Sequence, residues 1–135
     1  MTDIVRLNKS NVKSASEALT LAFQDYPLLQ YAFPDRAERG KMVPYYCQMV
    51  LYYGIRYGEV YTTSPDYEGV AAWVTSEYFP MTFWKLIRAV PLSVIGAFSK
   101  GVSSRMKHPG KYIDAMHRRH APFQHWFLLI IGVEP

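Results

Sequence analysis

An uninterrupted apolar run, from Trp126 to Val133, lies between polar flanks in the segment 125–135, which reads HWFLLIIGVEP. The run is too short to span a bilayer, and its aromatic and β-branched residues favour a strand over a helix. Pro135 ends the pattern because proline cannot donate a hydrogen bond to a sheet ladder. Apolar side chains on both faces predict a central strand that helices or loops cover on both sides.

A helical repeat of apolar side chains occupies the first part of the chain. Ser14 and Glu17 have the spacing of a capping box, and Pro27 marks the end of the pattern. Near this end Phe23 and Tyr26 lie about one turn apart, so both side chains can project from the same side. The apolar face of the predicted helix consists of Ala15, Ala18, Leu19, Ala22 and Phe23.

Helical spacing returns in the next segment, where Asp35 and a glutamate three residues later form a second capping pair. Pro44 lies inside this segment, and proline both removes a donor and clashes with the preceding turn. We therefore expect either a kink at Pro44 or a helix that begins near Val43. Gly54 and Gly58 are expected to let the chain leave the helix. The repeating apolar positions are Met42, Tyr46, Met49, Val50 and Tyr53.

Two β-rich segments follow, Glu59–Thr63 and Gly69–Thr75, and a turn-forming sequence, SPDYE, joins them. The simplest arrangement is an antiparallel hairpin. Ala71 and Ala72 are small and stand beside the large Trp73, which predicts that another element packs closely over this second strand.

Residues 81–120 return to helical spacing, with breaks predicted at Pro91 and at the His-Pro-Gly sequence 108–110. This insertion is too long for a plain connector, so we expect it to cover the sheet or to wall a pocket. A short edge strand at residues 4–7 opens the chain. The pattern predicts one α+β domain over residues 1–135, with a mostly antiparallel sheet of about four strands, two N-terminal helices and a helical insertion before the last strand.

The composition agrees with a single globular core, since half of the 135 residues are hydrophobic and 19% are charged. The N-terminal sequence MTDIVRLNKS has no apolar stretch of the signal-peptide type, so we expect a cytoplasmic protein. Cys47 is the only cysteine, which excludes an internal disulfide and favours a buried, inert thiol.

The net charge of +4 is unevenly distributed along the chain. Between positions 100 and 120, six cations accompany three histidines and a single carboxylate, that of Asp114. We interpret the segment as a solvated helical face and expect neither a nucleic acid nor a membrane as partner, since no nucleic-acid motif accompanies the charge. A positive field that attracts an anionic cofactor is the remaining alternative. The cations are Lys100, Arg105, Lys107, Lys111, Arg118 and Arg119.

Short motifs follow one another along nearly the whole chain: AFQDYP at 22–27, PDR at 34–36, GEVY at 58–61, AWVT at 72–75, WFL at 126–128 and GVEP at 132–135. Their order and spacing, with a helical insertion before the last strand, resemble the N-terminal half of a GNAT domain. GNAT proteins are acetyl-CoA-dependent N-acetyltransferases, and the similarity is closest to the puromycin N-acetyltransferase branch. The resemblance implies a truncated GNAT fold.

The resemblance also implies direct transfer of an acetyl group from acetyl-CoA, as cosubstrate, to a primary amine of a small molecule. In the family, backbone groups near the end of the fourth strand bind the pantetheine arm and polarise the thioester. The matching positions here are Ile131, Gly132 and Val133, although a plain buried strand end would explain these residue types equally well. The aromatic residues expected to shape the amine pocket are Phe23, Tyr26 and Trp73. The alternative for each is a place in the core, where aromatic side chains on apolar faces more often lie.

The attacking amine must be neutral, so the site needs a group that accepts its proton. His125, at the start of the last strand, and Glu77, just after the hairpin, are the two candidates for this catalytic base. Each has a plain alternative, as a surface histidine or as a solvated carboxylate. His117 and His120 could form a zinc site with His125, but a fourth ligand is lacking, so we expect no metal.

The family's Gly-rich pyrophosphate loop, its following helix and a later strand with a tyrosine acid have no counterpart in these residues. We therefore expect the acceptor-binding half of an acetyltransferase, whose last strand lies on an exposed edge and is completed by a C-terminal half or in a homodimer. One rival hypothesis is a non-catalytic half-domain that pairs this edge with itself or with a partner. Another is a small basic protein that binds polyanions through residues 100–120.

Overall fold

The fold is α+β, with helices packed on an open antiparallel sheet. A computed structural model describes residues 3–101 and 107–135, and the side chains of residues 3–98 and 107–135. The expected fold class is thus confirmed at the level of an α+β chain with a four-stranded antiparallel sheet in the order β1-β2-β3-β4. The elements are β1 (Asp3–Arg6), α1 (Val12–Phe23), α2 (Pro27–Ala32), α3 (Arg36–Tyr57), β2 (Gly58–Ser64), β3 (Gly69–Thr75), α4 (Phe83–Ala89), α5 (Leu92–Gly101), α6 (Lys107–His120) and β4 (Trp126–Val133), with 3₁₀ turns at Lys9–Asn11 and Ser76–Tyr78.

Each strand pairs with the next one in sequence. The predicted hairpin is confirmed as β2 and β3, in which Val60 lies opposite Ala72. On the other side of β3, Ala72 lies opposite Ile130, but Trp73 lies opposite Leu128. Leu129 is therefore an extra residue on β4, a β-bulge that bends the strand and interrupts the ladder.

One face of the sheet is buried against α1 and α3, and small residues set how closely α3 approaches. A Cβ atom added to Gly54 would lie 2.9 Å from Cγ2 of Val60 and 3.3 Å from Cβ of Ala72. Close packing over the second hairpin strand is therefore confirmed. Gly54 is a packing residue in the interior of α3, so its predicted role in ending the helix is wrong; the helix ends at Tyr57, immediately before Gly58.

The opposite face of the sheet is more open, and the prediction that both faces of β4 are covered is wrong for the described part of the chain. Trp126, Ile131 and Val133 are 52%, 57% and 65% exposed. The reason is that α1 and α3 lie on the same face as Val60, Ala72 and Ile130, while β4 is an edge strand of the described sheet. A continuous apolar run predicts a strand but does not show which elements pack on each of its faces.

The start of α3 agrees with the second predicted capping pair. Asp35 accepts hydrogen bonds through Oδ1 from the backbone N–H groups of Ala37 (2.8 Å) and Glu38 (3.0 Å). These bonds hold the pKa of the Asp35 carboxyl below its usual range. The helix therefore begins at Arg36 and not near Val43, and Pro44 lies inside it.

The other helix boundaries differ from the sequence prediction. Helix α1 begins at Val12, preceded by Asn11, so Ser14 lies inside the first turn and is not the N-cap. Pro27 opens α2 at a first-turn position, where proline fits because no backbone donor is needed. The predicted helix break at the His-Pro-Gly sequence is also wrong, because residues 108–110 lie in the first turn of α6.

The helical insertion covers α3 more than it covers the sheet. Helices α4 and α5 pack on α3, whereas α6 has no buried residue among those described. Cys47 is buried in the core, and burial raises the pKa of its thiol to about 12, as expected for an inert thiol. Within residues 3–101 and 107–135, no helix is long and apolar enough to cross a membrane.

Arg39 links the three N-terminal helices from a buried position. Its Nε donates to the carbonyl oxygen of Gln24 (2.8 Å) and its Nη1 donates to that of Phe33 (2.9 Å). These acceptors lie in the connections on either side of α2, so one guanidinium ties both connections to α3.

We expect Arg39→Met to lower the free energy of unfolding by about 2 kcal/mol, because the buried carbonyls lose charged donors while the apolar stem is kept. Urea unfolding followed by circular dichroism measures the change. Arg36→Met is the matched control, since Arg36 is exposed on the same helix. Equal stability of the two variants would contradict a clamping role for Arg39.

Candidate functional site

The ends of β3 and β4 enclose a recess that contains both residues predicted as catalytic bases. Ser76 donates its backbone N–H to the carbonyl oxygen of His125 (2.8 Å), and the backbone N–H of His125 donates to Oγ of Ser76 (3.2 Å). This double link holds the 3₁₀ turn against the start of β4. The recess has a volume of about 360 Å³ and is lined by Thr75, Ser76, Glu77, Gln124, His125 and Trp126.

Glu77 presents its carboxylate at the surface of this recess. The side chain is exposed, and its Oε1 accepts a hydrogen bond from Oγ1 of Thr75 (3.2 Å). Lys85 donates through Nζ to the backbone carbonyl of Glu77 (3.0 Å) and lies 5.3 Å from the ring centroid of Tyr78. The turn is therefore fixed by its backbone while the carboxylate remains accessible to solvent.

His125 lies in the same recess, but both of its ring nitrogens are engaged. Nδ1 lies 2.6 Å from the carbonyl oxygen of Phe123, which can only accept, so Nδ1 carries a hydrogen. Nε2 lies 2.7 Å from Nε2 of His117. In the neutral ring Nε2 is then the acceptor, and His117 is its donor.

The sequence suggests His117 only as a possible zinc ligand and gives no indication of its contact with His125. Its ring lies edge-on to Phe79 and Phe127, with centroid distances of 5.0 and 4.7 Å. Burial, and then the nearby His125, lower the pKa of His117 below its ordinary value. No periodicity signals this contact, because it joins a helix to a loop that leads into a strand.

A second recess, of about 610 Å³, lies beside the first, between α6 and the 3₁₀ turn. Glu77 borders both recesses, while His117 borders the second one only. The other residues that line it are Ser76, Phe79, Pro80, Arg118, Ala121, Pro122, Phe123 and Gln124.

The three histidines of the zinc alternative do not converge on one point. His117 and His125 meet through Nε2, but His120 is exposed at the end of α6. Among the side chains that the structure describes, no group of three or more His, Cys, Asp or Glu could hold a metal ion.

The predicted cofactor residues lie at the other end of β4. The backbone N–H of Glu134 donates to the carbonyl oxygen of Glu68 (2.8 Å), so its main chain faces β3. Because main-chain groups alternate along a strand, Gly132 also faces β3, whereas Ile131 and Val133 face the edge that is unpaired in the described sheet.

Gly132 is in addition covered by α1. A Cβ atom added there would lie 2.8 Å from Cδ2 of Leu19 and 3.1 Å from Cε2 of Phe23. The absence of a side chain at Gly132 is thus explained by helix packing. Phe23 in turn contacts Tyr26 edge-on, with a centroid distance of 5.2 Å.

The three predicted pocket aromatics fall into two groups. Phe23 and Tyr26 lie together on the α1 side of the sheet, near Gly132. Trp73 alternates with the buried Ala72 and Val74, so it belongs to the opposite face, across from Leu128. Because β4 has eight residues, its two ends lie about 23 Å apart.

The basic segment lies mostly at the surface. Lys107, Lys111 and Arg119 are exposed on α6, and Arg118 pairs with Asp114 at 3.1 Å. This agrees with the interpretation as a solvated helical face. The side chains of Lys100 and Arg105 lie outside those described.

Comparison with known proteins gives no family model that matches this chain, and no curated protein matches it. The resemblance to acetyltransferases therefore rests on the sequence motifs and remains a prediction.

Proposed function

We propose that this protein is an acetyl-CoA-dependent N-acetyltransferase that moves an acetyl group to a primary amine of a small molecule. The observation that carries the proposal is that Glu77 and His125, which are far apart in sequence, line one recess, in which the Glu77 side chain is exposed. An accessible carboxylate in the same recess as an imidazole can accept a proton from the amine. The four-stranded antiparallel sheet is compatible with the resemblance to GNAT proteins.

Glu77 is the better placed of the two candidate bases. Its carboxylate is exposed, whereas both ring nitrogens of His125 are engaged, by Phe123 and His117. In the proposed reaction Glu77 accepts the amine proton, directly or through water. The neutral nitrogen then attacks the thioester carbon and the carbon–sulfur bond breaks. The second proton, which the nitrogen loses as the amide forms, passes through water to the sulfur, so CoA leaves as a thiol, and Glu77 returns its proton to solvent.

The main-chain groups of β4 that face the edge unpaired in the described sheet are better placed to bind the cosubstrate than those that face β3. Main-chain groups of Ile131 and Val133 face this edge and can hydrogen-bond the amides of a pantetheine arm. Gly132 cannot contribute in the same way, because its main chain faces β3 and α1 covers it. An arm that lies along the edge towards Leu128 would carry its thioester in the direction of Glu77.

The bulge at Leu129 suits the thioester end of such an arm. It leaves one residue of β4 without a partner on β3. A backbone N–H group at such an irregularity of the ladder is the kind of donor that a developing oxyanion requires.

The test is incubation of the protein, as a homodimer or together with a C-terminal half that completes the site, with acetyl-CoA and a panel of primary amines, while released CoA is measured with a thiol reagent. We expect release that depends on both the amine and the protein. The background is low because Cys47, the only cysteine, is buried. Absence of amine-dependent release across aromatic amines, polyamines, amino acids and aminoglycosides would overturn the proposal.

A non-catalytic module that pairs through β4 is the second candidate. It is favoured by the exposed apolar side chains of Trp126, Ile131 and Val133 on this strand. A dimeric mass in light scattering together with no CoA release would support this candidate over the first.

A further inference from the structure

We propose that the contact between His117 and His125 is a latch that holds α6 against the end of the sheet at neutral pH and releases it in acid. The inference concerns a conformational property of the chain and is independent of acetyl transfer.

The imidazole of His117 is the main anchor of α6. This helix has no buried residue among those described, and it is amphipathic and basic. The His117 ring, however, packs edge-on against both Phe79 and Phe127, two rings that stack on each other with centroids 4.1 Å apart. Its Nε2 reaches His125 at 2.7 Å, so aromatic packing and one hydrogen bond fix the helix at a single position.

The ring nitrogens of His117 and His125 can take up one extra proton without losing the hydrogen bond between them. When both rings are neutral, His117 donates through Nε2, and its buried Nδ1 is an acceptor that has no hydrogen-bond partner among the described residues. Within the same part of the chain, Oδ1 of Asp114, one helical turn earlier, is also a buried acceptor without a partner. One added proton on Nδ1 of His117 turns this acceptor into a donor and leaves the hydrogen bond between the two Nε2 atoms intact.

A second proton cannot be accommodated in the same geometry. Both Nε2 atoms would then carry hydrogens and face each other at 2.7 Å, with a positive charge on each ring. The charged groups around His117 are Asp114 and Arg118 on its own helix, His125 before β4, and Glu77, which borders the same recess. Phe79 and Phe127 carry no charge, so two carboxylates offset three cationic groups in the doubly protonated state.

The direction of the pH effect follows from the lowered pKa of His117, which burial and then His125 cause. The docked helix binds fewer protons than the released one, so docking is complete above the ordinary histidine value of about 6.5 and weakens as the pH falls below it. Because α6 forms a wall of the recess beside Glu77, its release opens that recess.

Hydrogen–deuterium exchange tests the latch, with rates corrected for intrinsic exchange and α3 as the internal reference. Between about pH 7.5 and about pH 5, which bracket the ordinary histidine pKa, we expect α6 to lose protection relative to α3. In His117→Phe an aromatic ring can still pack against Phe79 and Phe127 but does not titrate, so protection should not change with pH. His120→Phe, on the exposed end of the same helix, should keep the pH dependence.

Equal protection of α6 at both pH values would overturn the latch, as would a pH dependence that persists in His117→Phe. Should His117→Phe not fold, NMR titration of the unmodified protein decides. We expect the pKa of His117 to lie below its ordinary value. An ordinary pKa for His117 would equally overturn the latch.

Discussion

Replacement of Gly58 by alanine is expected to lower the free energy of unfolding by about 3 kcal/mol, the upper end of the usual cost of overpacking. The added Cβ would lie 1.9 Å from the carbonyl oxygen of Trp73 and 2.8 Å from Cα of Val74. Both are backbone atoms, so no rotamer change relieves the clash. The strands β2 and β3 must separate at the point where α3 turns directly into β2.

Gly40→Ala is the matched control for this substitution, because an added Cβ there meets nothing within 4 Å. Gly40 is exposed in the interior of α3, so alanine should leave stability unchanged or raise it by about 0.5 to 1 kcal/mol. Urea unfolding of the three proteins gives the comparison. A Gly58→Ala protein as stable as the unmodified chain would mean that the junction between α3 and β2 is looser than described.

Glu77→Gln is expected to reduce kcat/KM for acetyl transfer by about 100-fold or more, the usual contribution of a general base. The amide has nearly the same size and can keep the contact with Thr75, but it cannot accept a proton from the amine. Because the carboxylate is exposed and the turn is fixed through its backbone, the variant should fold normally. The rate is measured by thiol release at a series of amine concentrations.

Glu68→Gln is the control for the loss of one negative charge, since Glu68 is an exposed carboxylate at the other end of β3. It should retain full activity. If Glu77→Gln remains as active as Glu68→Gln, acetyl transfer would stand but another group would have to accept the proton. Absence of transfer in the unmodified protein would instead refute the function itself, so the two failures are distinguishable.

Features encoded locally were predictable from the sequence. The hairpin of β2 and β3 follows from two β-rich segments around a short turn sequence, and the start of α3 follows from Asp35. Both signals act over a few residues, so no knowledge of the tertiary structure is needed. The start of α1 was not predictable in this way: burial of Val12, which has no exposed surface, extends the helix beyond the capping signal at Ser14.

The candidate site was predictable in its residues but not in its connections. Glu77 and His125 both follow from their positions beside strands, and they do share one recess. The contact between His125 and His117 depends on where α6 docks, which no local pattern encodes. Phe23 and Trp73 lie on opposite faces of the sheet because α1 covers only one of them, and a sequence pattern does not state which face a helix takes.

The tight approach of α1 to Gly132 has a consequence for the search for relatives of this protein. A chain that keeps the Leu19 and Phe23 side chains of the first helix against its fourth strand favours glycine at this position, whatever it binds. A glycine aligned here is therefore a marker of shared architecture and carries little information about shared chemistry. Chains that share the proposed chemistry are better sought by pairing this glycine with a carboxylate that follows the hairpin, the position that Glu77 occupies.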